Sequence, residues 1–191
     1  MTYAGFWPRF AALLLDILVM SPLLAFVWWG TEHFRVFYLY YFIPDALFVF
    51  IYNVYLVQRF GGTPGKRLMR IRIVKLNGDP VNYREALLRY FPEWLMTIGS
   101  SFALLIAALH LTDAQYFSVP SFIERTQLIK STAPGWNSPL ELASDIWVWS
   151  EFIVMLTNKK RRAIHDFIAG TVVIKDAQQG IPSDESLAAR L

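Results

Sequence analysis

Five oxygen-bearing side chains stand inside apolar stretches of this chain: Asp16, Asp45, Asn53, Thr97 and Glu151. A carboxylate at membrane depth costs about 2.5–3.5 kcal/mol on insertion scales, so it turns toward a partner or a water-filled cavity. At 1.5 Å of helix rise per residue, Asp16 lies roughly 10 Å beyond Arg9 and Glu151 about 9 Å before Thr157. On the same ruler Thr97 is about 10 Å past Tyr90, and Asn53 about 6 Å before Val57. The four fall in one layer near one membrane face. Oxygen ligands of this kind suit a hard cation such as sodium, and two close carboxylates share a proton that the cation must displace. The layer predicts a cation and proton site built on Asp16 and Glu151. Asp45 follows Pro44 and shares a helical face with Tyr38, Tyr41 and Tyr52, which would make it a second relay carboxylate. Structural alternatives stand beside both aspartates. Asp16 paired with Arg9 or Arg162 would only fix helix packing, and Asp45 could bond to its tyrosines or to backbone freed by Pro44.

Such residues need helices to hold them at depth, and the composition supplies these. Of 191 residues, 55% are hydrophobic and only 17% charged, against roughly 25% charged in a soluble domain. Mean hydropathy is +0.35. About 20 apolar residues span a bilayer core, and four stretches qualify: 10–29, 36–57, 90–111 and 139–157. The last is the weakest, because it contains Glu141, Asp145 and Glu151. The expected fold is therefore an all-α integral membrane protein with four transmembrane helices. Zero cysteines exclude disulfides and thiolate metal sites.

Basic residues fix the expected orientation. The segment 58–90 carries eight lysines and arginines, and Lys159, Lys160, Arg161 and Arg162 follow the fourth stretch. The loops 30–35 and 112–138 hold only Arg35, Arg125 and Lys130. Both termini and the loop 58–89 are thus expected in the cytoplasm and 112–138 outside. The net charge of +3 then belongs to anionic headgroups rather than nucleic acid, with Lys66, Arg67, Arg70, Arg72, Lys159 and Lys160 as lipid or phosphate contacts.

Between the spans, Gly61-Gly62-Thr63-Pro64-Gly65 must turn. The run 69–75 alternates in a strand-like way and is predicted to pair with 171–175, giving a small cytoplasmic β/turn cap. Asn82 with Glu85, and Ser121 with Glu124, read as capping boxes for helices through Arg89 and over 122–130. Residues 1–176 form one membrane domain on this reading, and 177–191 a polar tail.

Three blocks in order carry a family resemblance: Gly5-Phe6-Trp7-Pro8-Arg9-Phe10 with Asp16; Gly61-Gly62-Thr63-Pro64-Gly65-Lys66-Arg67-Leu68; and Arg161-Arg162-Ala163-Ile164-His165-Asp166-Phe167-Ile168-Ala169-Gly170-Thr171. Together they resemble the RDD proteins, bacterial membrane proteins named for an arginine and two aspartates. The resemblance implies Arg9, Asp16 and Asp166 as the name-giving residues, with His165 in the same motif. It also implies transport, and for some members sodium/proton antiport.

His165 beside Asp166 could shuttle protons, but no nucleophile or third catalytic member accompanies them. A salt bridge from Asp166 to Arg67 or Arg70 is the expected use. The Gly61–Arg67 run lacks phosphate-loop spacing. No enzyme activity, cofactor or metal beyond sodium is expected. The leading function is cation/proton exchange, with a homo-oligomer expected because four short helices enclose little room. The rival is a membrane scaffold or assembly factor that holds partner proteins and anionic lipid through its basic cap.

Overall fold

The computed structural model describes residues 1–176; the expected tail 177–191 lies outside the described residues. Three helical runs have the length and hydropathy of membrane spans. The first is α1, Phe6–His33. The second begins as α2, Phe37–Phe50, passes through a π-helical turn at Ile51–Tyr55 and ends in α3, Leu56–Phe60, with a further short helix, α4, at Pro64–Leu68. The third is α5, Tyr83–His110. It starts at the Asn82/Glu85 capping box and runs unbroken through Pro92, so the expected separate helix and span are one element.

The loop expected over 112–138 is largely helical. It folds as α6, Asp113–Phe117, and α7, Phe122–Thr132, the latter capped by Ser121. Both pack on the ends of α1 and α5. Tyr116 donates its hydroxyl to the Thr31 carbonyl at 2.7 Å, and Arg125 meets Glu32 at 2.7 Å while bonding the carbonyls of Val119 and Pro120. A buried arginine satisfied by three acceptors holds this layer down. Next comes α8, Asn137–Thr157, of 21 residues. It matches the fourth stretch, although its acidic residues keep it out of the group of three.

At the opposite end of the bundle, β1 (Ile71–Lys75) pairs antiparallel with β2 (Thr171–Lys175), aligning Ile73 with Val173. The strand begins two residues later than 69, because α4 extends to Leu68 and Arg70 takes a left-handed φ of 52°. Between α8 and β2 lies α9, Ile164–Ala169. Ile71, Ile73, Val81 and Val173 pack with Ala4, Ala12, Val57 and Ala86 into one buried core, which fastens the sheet to the helix ends. Large apolar side chains such as Leu18, Ile43 and Leu95 stay exposed on the outer faces of α1, α2 and α5. That inversion of the soluble rule suits a lipid solvent.

Candidate functional site

A cavity of about 520 Å³ lies between α1, α2, the π turn, α5 and α8. Along α1 its wall runs from Leu13 to Val27, roughly 21 Å at 1.5 Å per residue. Its far half is walled by Leu23, Leu24 and Val27; its sheet-end half collects Asp16, Lys66, Arg89, Glu93, Glu151 and His165. Tyr41 joins the far half beside Phe26, and Asp45, one turn further along α2, also lines it. Each helix thus contributes at least one polar group to a space inside the apolar bundle, where backbone and side-chain polar groups must otherwise be satisfied within the protein.

The π turn shapes one wall. One extra residue within a helical turn rotates the side chains that follow, and such turns recur at functional sites. Here it carries Tyr52 and Asn53, both lining the cavity, and Asn53 bonds back to the Val49 carbonyl at 3.1 Å.

Asp16 is buried and fully engaged. It accepts the Tyr52 hydroxyl at 2.6 Å, the Thr63 hydroxyl at 2.6 Å and the Gly65 backbone N–H at 2.7 Å. Thr63 precedes the first turn of α4, and Pro64 opens that turn with a preset φ. The carboxylate therefore caps α4 from a neighbouring helix. Neither Arg9 nor Arg162 is its partner, which corrects the expected structural pairing. Gly65 permits the contact, since a Cβ there would overlap the Ala12 carbonyl oxygen.

Glu151 reaches His165 rather than Asp16, bonding its Nδ1. Donation to a carboxylate assigns the Nδ1–H tautomer and leaves Nε2 as the acceptor. That atom is buried, has no hydrogen-bond partner among the described residues and lies 3.9 Å from Asp166. Burial pushes the imidazole pKa down, as does Arg89, with Asp166 and Glu151 offsetting them in part. The ring is thus held neutral with a free basic nitrogen. The indole N–H of Trp147 on the same cavity also has no partner among the described residues.

Asp166 itself is completely buried, and its partners are not Arg67 or Arg70 as expected. It binds Arg9 at 2.9 Å and Arg89, and accepts the Thr171 hydroxyl at 3.1 Å and the Ala163 N–H at 3.0 Å. The long helix α5 begins early enough to bring Arg89 here, whereas Arg70 is exposed by its left-handed turn and Arg67 bonds the Phe60 carbonyl at 3.0 Å. Burial alone would raise the Asp166 pKa. The charges of Arg89 and Arg9, with the Arg9 hydrogen bond, outweigh it and hold the carboxyl far below the usual range. Arg9 continues to the Arg161 carbonyl at 2.6 Å, and Arg162 to the carbonyls of Asp166 and Thr171. One network thereby joins the starts of α1 and α5 to α9 and β2.

Of the five residues singled out within the apolar stretches, Asp16, Asp45, Asn53 and Glu151 line the cavity, whereas Thr97 borders a separate crevice between α2 and α5 that Asp45 also touches. Lys66 is not a lipid contact. It lies three residues after Thr63, turns inward with it on the short helix, and bonds its hydroxyl at 3.3 Å. Arg67, Arg70, Arg72, Lys159 and Lys160 are exposed, and Arg72 also pairs with Asp176 at 2.8 Å. Glu93 lies at the edge of a span that starts at residue 90, but α5 starts two turns earlier and carries Glu93 into the cavity. Among the described residues, no three His, Asp or Glu side chains converge to hold a metal. A cation here would take at most two such side chains together with neutral hydroxyl, amide or carbonyl oxygens.

The comparisons agree with the three sequence blocks. The family model described as the RDD family matches residues 3–170, nearly the whole chain. No match was found among curated proteins or solved structures. The chain belongs to the RDD family.

Proposed function

We propose that this member of the RDD family is a membrane transport protein that exchanges a monovalent cation, sodium first among the candidates, for protons. One observation carries the reading: a long cavity inside the bundle is lined by Asp16, Asp45, Glu93 and Glu151 from four helices, and by the neutral His165. Buried charge of this kind is expensive in a bilayer and marks ion and proton paths. Asp16 builds the wall through its three bonds. Glu151 with His165 forms a proton-accepting pair, while Glu93 and Asp45 offer carboxylate oxygens along the same space. The cavity lies within one chain, so exchange needs no second copy to complete it.

In this proposal α8 is a fourth span and the sheet end faces the cytoplasm of a bacterial inner membrane. Leu142, Ile146, Trp149, Ile153 and Leu156 recur at alternating steps of four and three along α8, each at least 60% exposed. This is a lipid-facing stripe. Two of the three acidic residues of α8 lie off it, Glu151 turning to the cavity and Glu141 pairing with Lys130 at 3.0 Å, while Asp145 is exposed at its edge. Cysteines placed at 33 and 130 are then expected to react with an impermeant thiol reagent outside intact cells, and cysteines at 78 and 159 to be protected. Protection at 130 with labelling at 159 rejects this topology.

The functional test is proton flux in liposomes containing only this protein. Sodium-driven proton movement is expected, and Glu151→Gln should reduce it to the level of empty liposomes. Glu141→Gln, which alters only a pair away from the cavity, should leave it intact. A folded protein without flux rejects transport and leaves the scaffold role, for which the exposed basic side chains around the sheet are the supporting observation.

A further inference from the structure

A second recess, of about 480 Å³, lies on the rim of the bundle and is independent of the transport reading. Its apolar side is Phe6 and Trp7 at the start of α1, with Leu156 at the end of α8. Its polar edge is Arg161 and Lys175. Among the described residues, neither cation pairs with a carboxylate; the nearby Asp176 is taken by Arg72. The first turn of α1 carries no acidic residue and adds its positive end to the same field.

The position of Arg161 is built rather than incidental. Its φ of 52° lies in the left-handed region that arginine seldom adopts. The turn is held by the Arg161 N–H on the Asn158 carbonyl at 3.0 Å and by the Asn158 side chain, which bonds both the N–H and the carbonyl of Arg162. Arg9, itself tied to Asp166, grips the Arg161 carbonyl. Residues kept in such a conformation by several independent bonds cluster at ligand sites.

We propose that this recess is a binding site for an anionic phospholipid. Arg161 and Lys175 take the phosphate oxygens, and Phe6, Trp7 and Leu156 cover the first carbons of an acyl chain. The charges and the apolar wall meet where α1 enters and α8 leaves the apolar slab, which is headgroup level. Trp7, 74% exposed, lies at that boundary as interfacial tryptophans do. Free phosphate would satisfy the cations but leave the apolar wall uncovered. Lys159 and Lys160, on the same turn but outside the recess, contribute only general attraction.

The test is thermal stability of the detergent-solubilised full chain with added phosphatidylglycerol, phosphatidylcholine, glycerol phosphate or inorganic phosphate, together with the phosphatidylglycerol retained after delipidation. Wild type should be stabilised by, and retain, phosphatidylglycerol alone. Arg161→Gly relieves the backbone strain, so it should fold well while losing both effects. Lys175→Gln, at an exposed strand end, should weaken them, and Lys159→Gln with Lys160→Gln should not. An equal shift with phosphatidylcholine, a full shift with inorganic phosphate, or undiminished retention in Arg161→Gly and Lys175→Gln would each overturn the proposal.

Discussion

Asp166→Asn is expected to destabilise the protein by about 3–5 kcal/mol, the usual result of removing one partner from a buried ion pair. The variant keeps the volume and one acceptor oxygen but leaves Arg9 and Arg89 facing each other without a countercharge, each with a side chain about nine-tenths buried. Thr171 and the Ala163 N–H bond different oxygens of the carboxylate, so one of the two loses its acceptor as well. Melting temperature in detergent measures the loss. Its pH dependence identifies the source. The folded pKa of Asp166 is lowered, so its stabilisation is fully present above the unfolded value, about 3.9, and disappears as pH falls through the folded value. His165 acts in a higher window. Its folded pKa is also lowered, so the unfolded chain takes up its proton first, and stability falls as pH drops below about 6.5. Wild type should show both phases; Asp166→Asn should retain the His165 phase and lack the Asp166 one. An unchanged melting temperature together with abolished exchange would refute the structural role and move Asp166 into the transport path.

The chain's local chemistry was legible from its sequence where one segment decides the outcome alone. Asn82 with Glu85 starts α5, Ser121 starts α7, and the runs around Ile73 and Val173 pair as strands. What required the structure was the phase between elements. Sequence spacing places Lys66 in a basic cluster, but only the docking of α4 on Asp16 shows that Lys66 faces inward while Arg67 faces out. The same limit hid the partners of Asp166. Arg89 sits 77 residues away, and its approach depends on where α5 begins and how it tilts. The π turn carries no clear residue signature in Ile51–Tyr55, yet it sets the direction of Tyr52. A charge reads as the end of a span, so Glu93, three residues into the stretch 90–111, reads as an edge residue although the cavity takes it in. Arg125 misled in the same way, since it reads as a solvated loop cation and is buried on Glu32.

Gly65→Ala is expected to be among the most damaging small substitutions in the chain. Its Cβ would meet the Ala12 carbonyl oxygen and lie 2.8 Å from the Asp16 carboxyl carbon and 2.9 Å from the Asp16 backbone nitrogen. Two of these are backbone atoms within α1, and the third belongs to a side chain held by three bonds, so α4 must retreat. Overpacking costs about 1–3 kcal/mol, and lost hydrogen bonds to a carboxylate add about 1.5–3 kcal/mol each. The methyl group should therefore cost more than Asp16→Asn, which preserves shape. Partnership can be separated from proximity by double-mutant cycles. Asp16→Asn with Thr63→Val should be non-additive by about 0.5–3 kcal/mol, because the two side chains share a bond. Asp16→Asn with Arg9→Gln should add within about 0.5 kcal/mol, because Arg9 belongs to the Asp166 network. Under the proposed exchange, proton flux per folded molecule distinguishes wall from ligand: a wall residue lowers the folded fraction and spares the rate, whereas a cation ligand does the reverse. Strong coupling of positions 9 and 16, or a stable Gly65→Ala protein, would refute the docking of α4 on α1 as the purpose of Asp16.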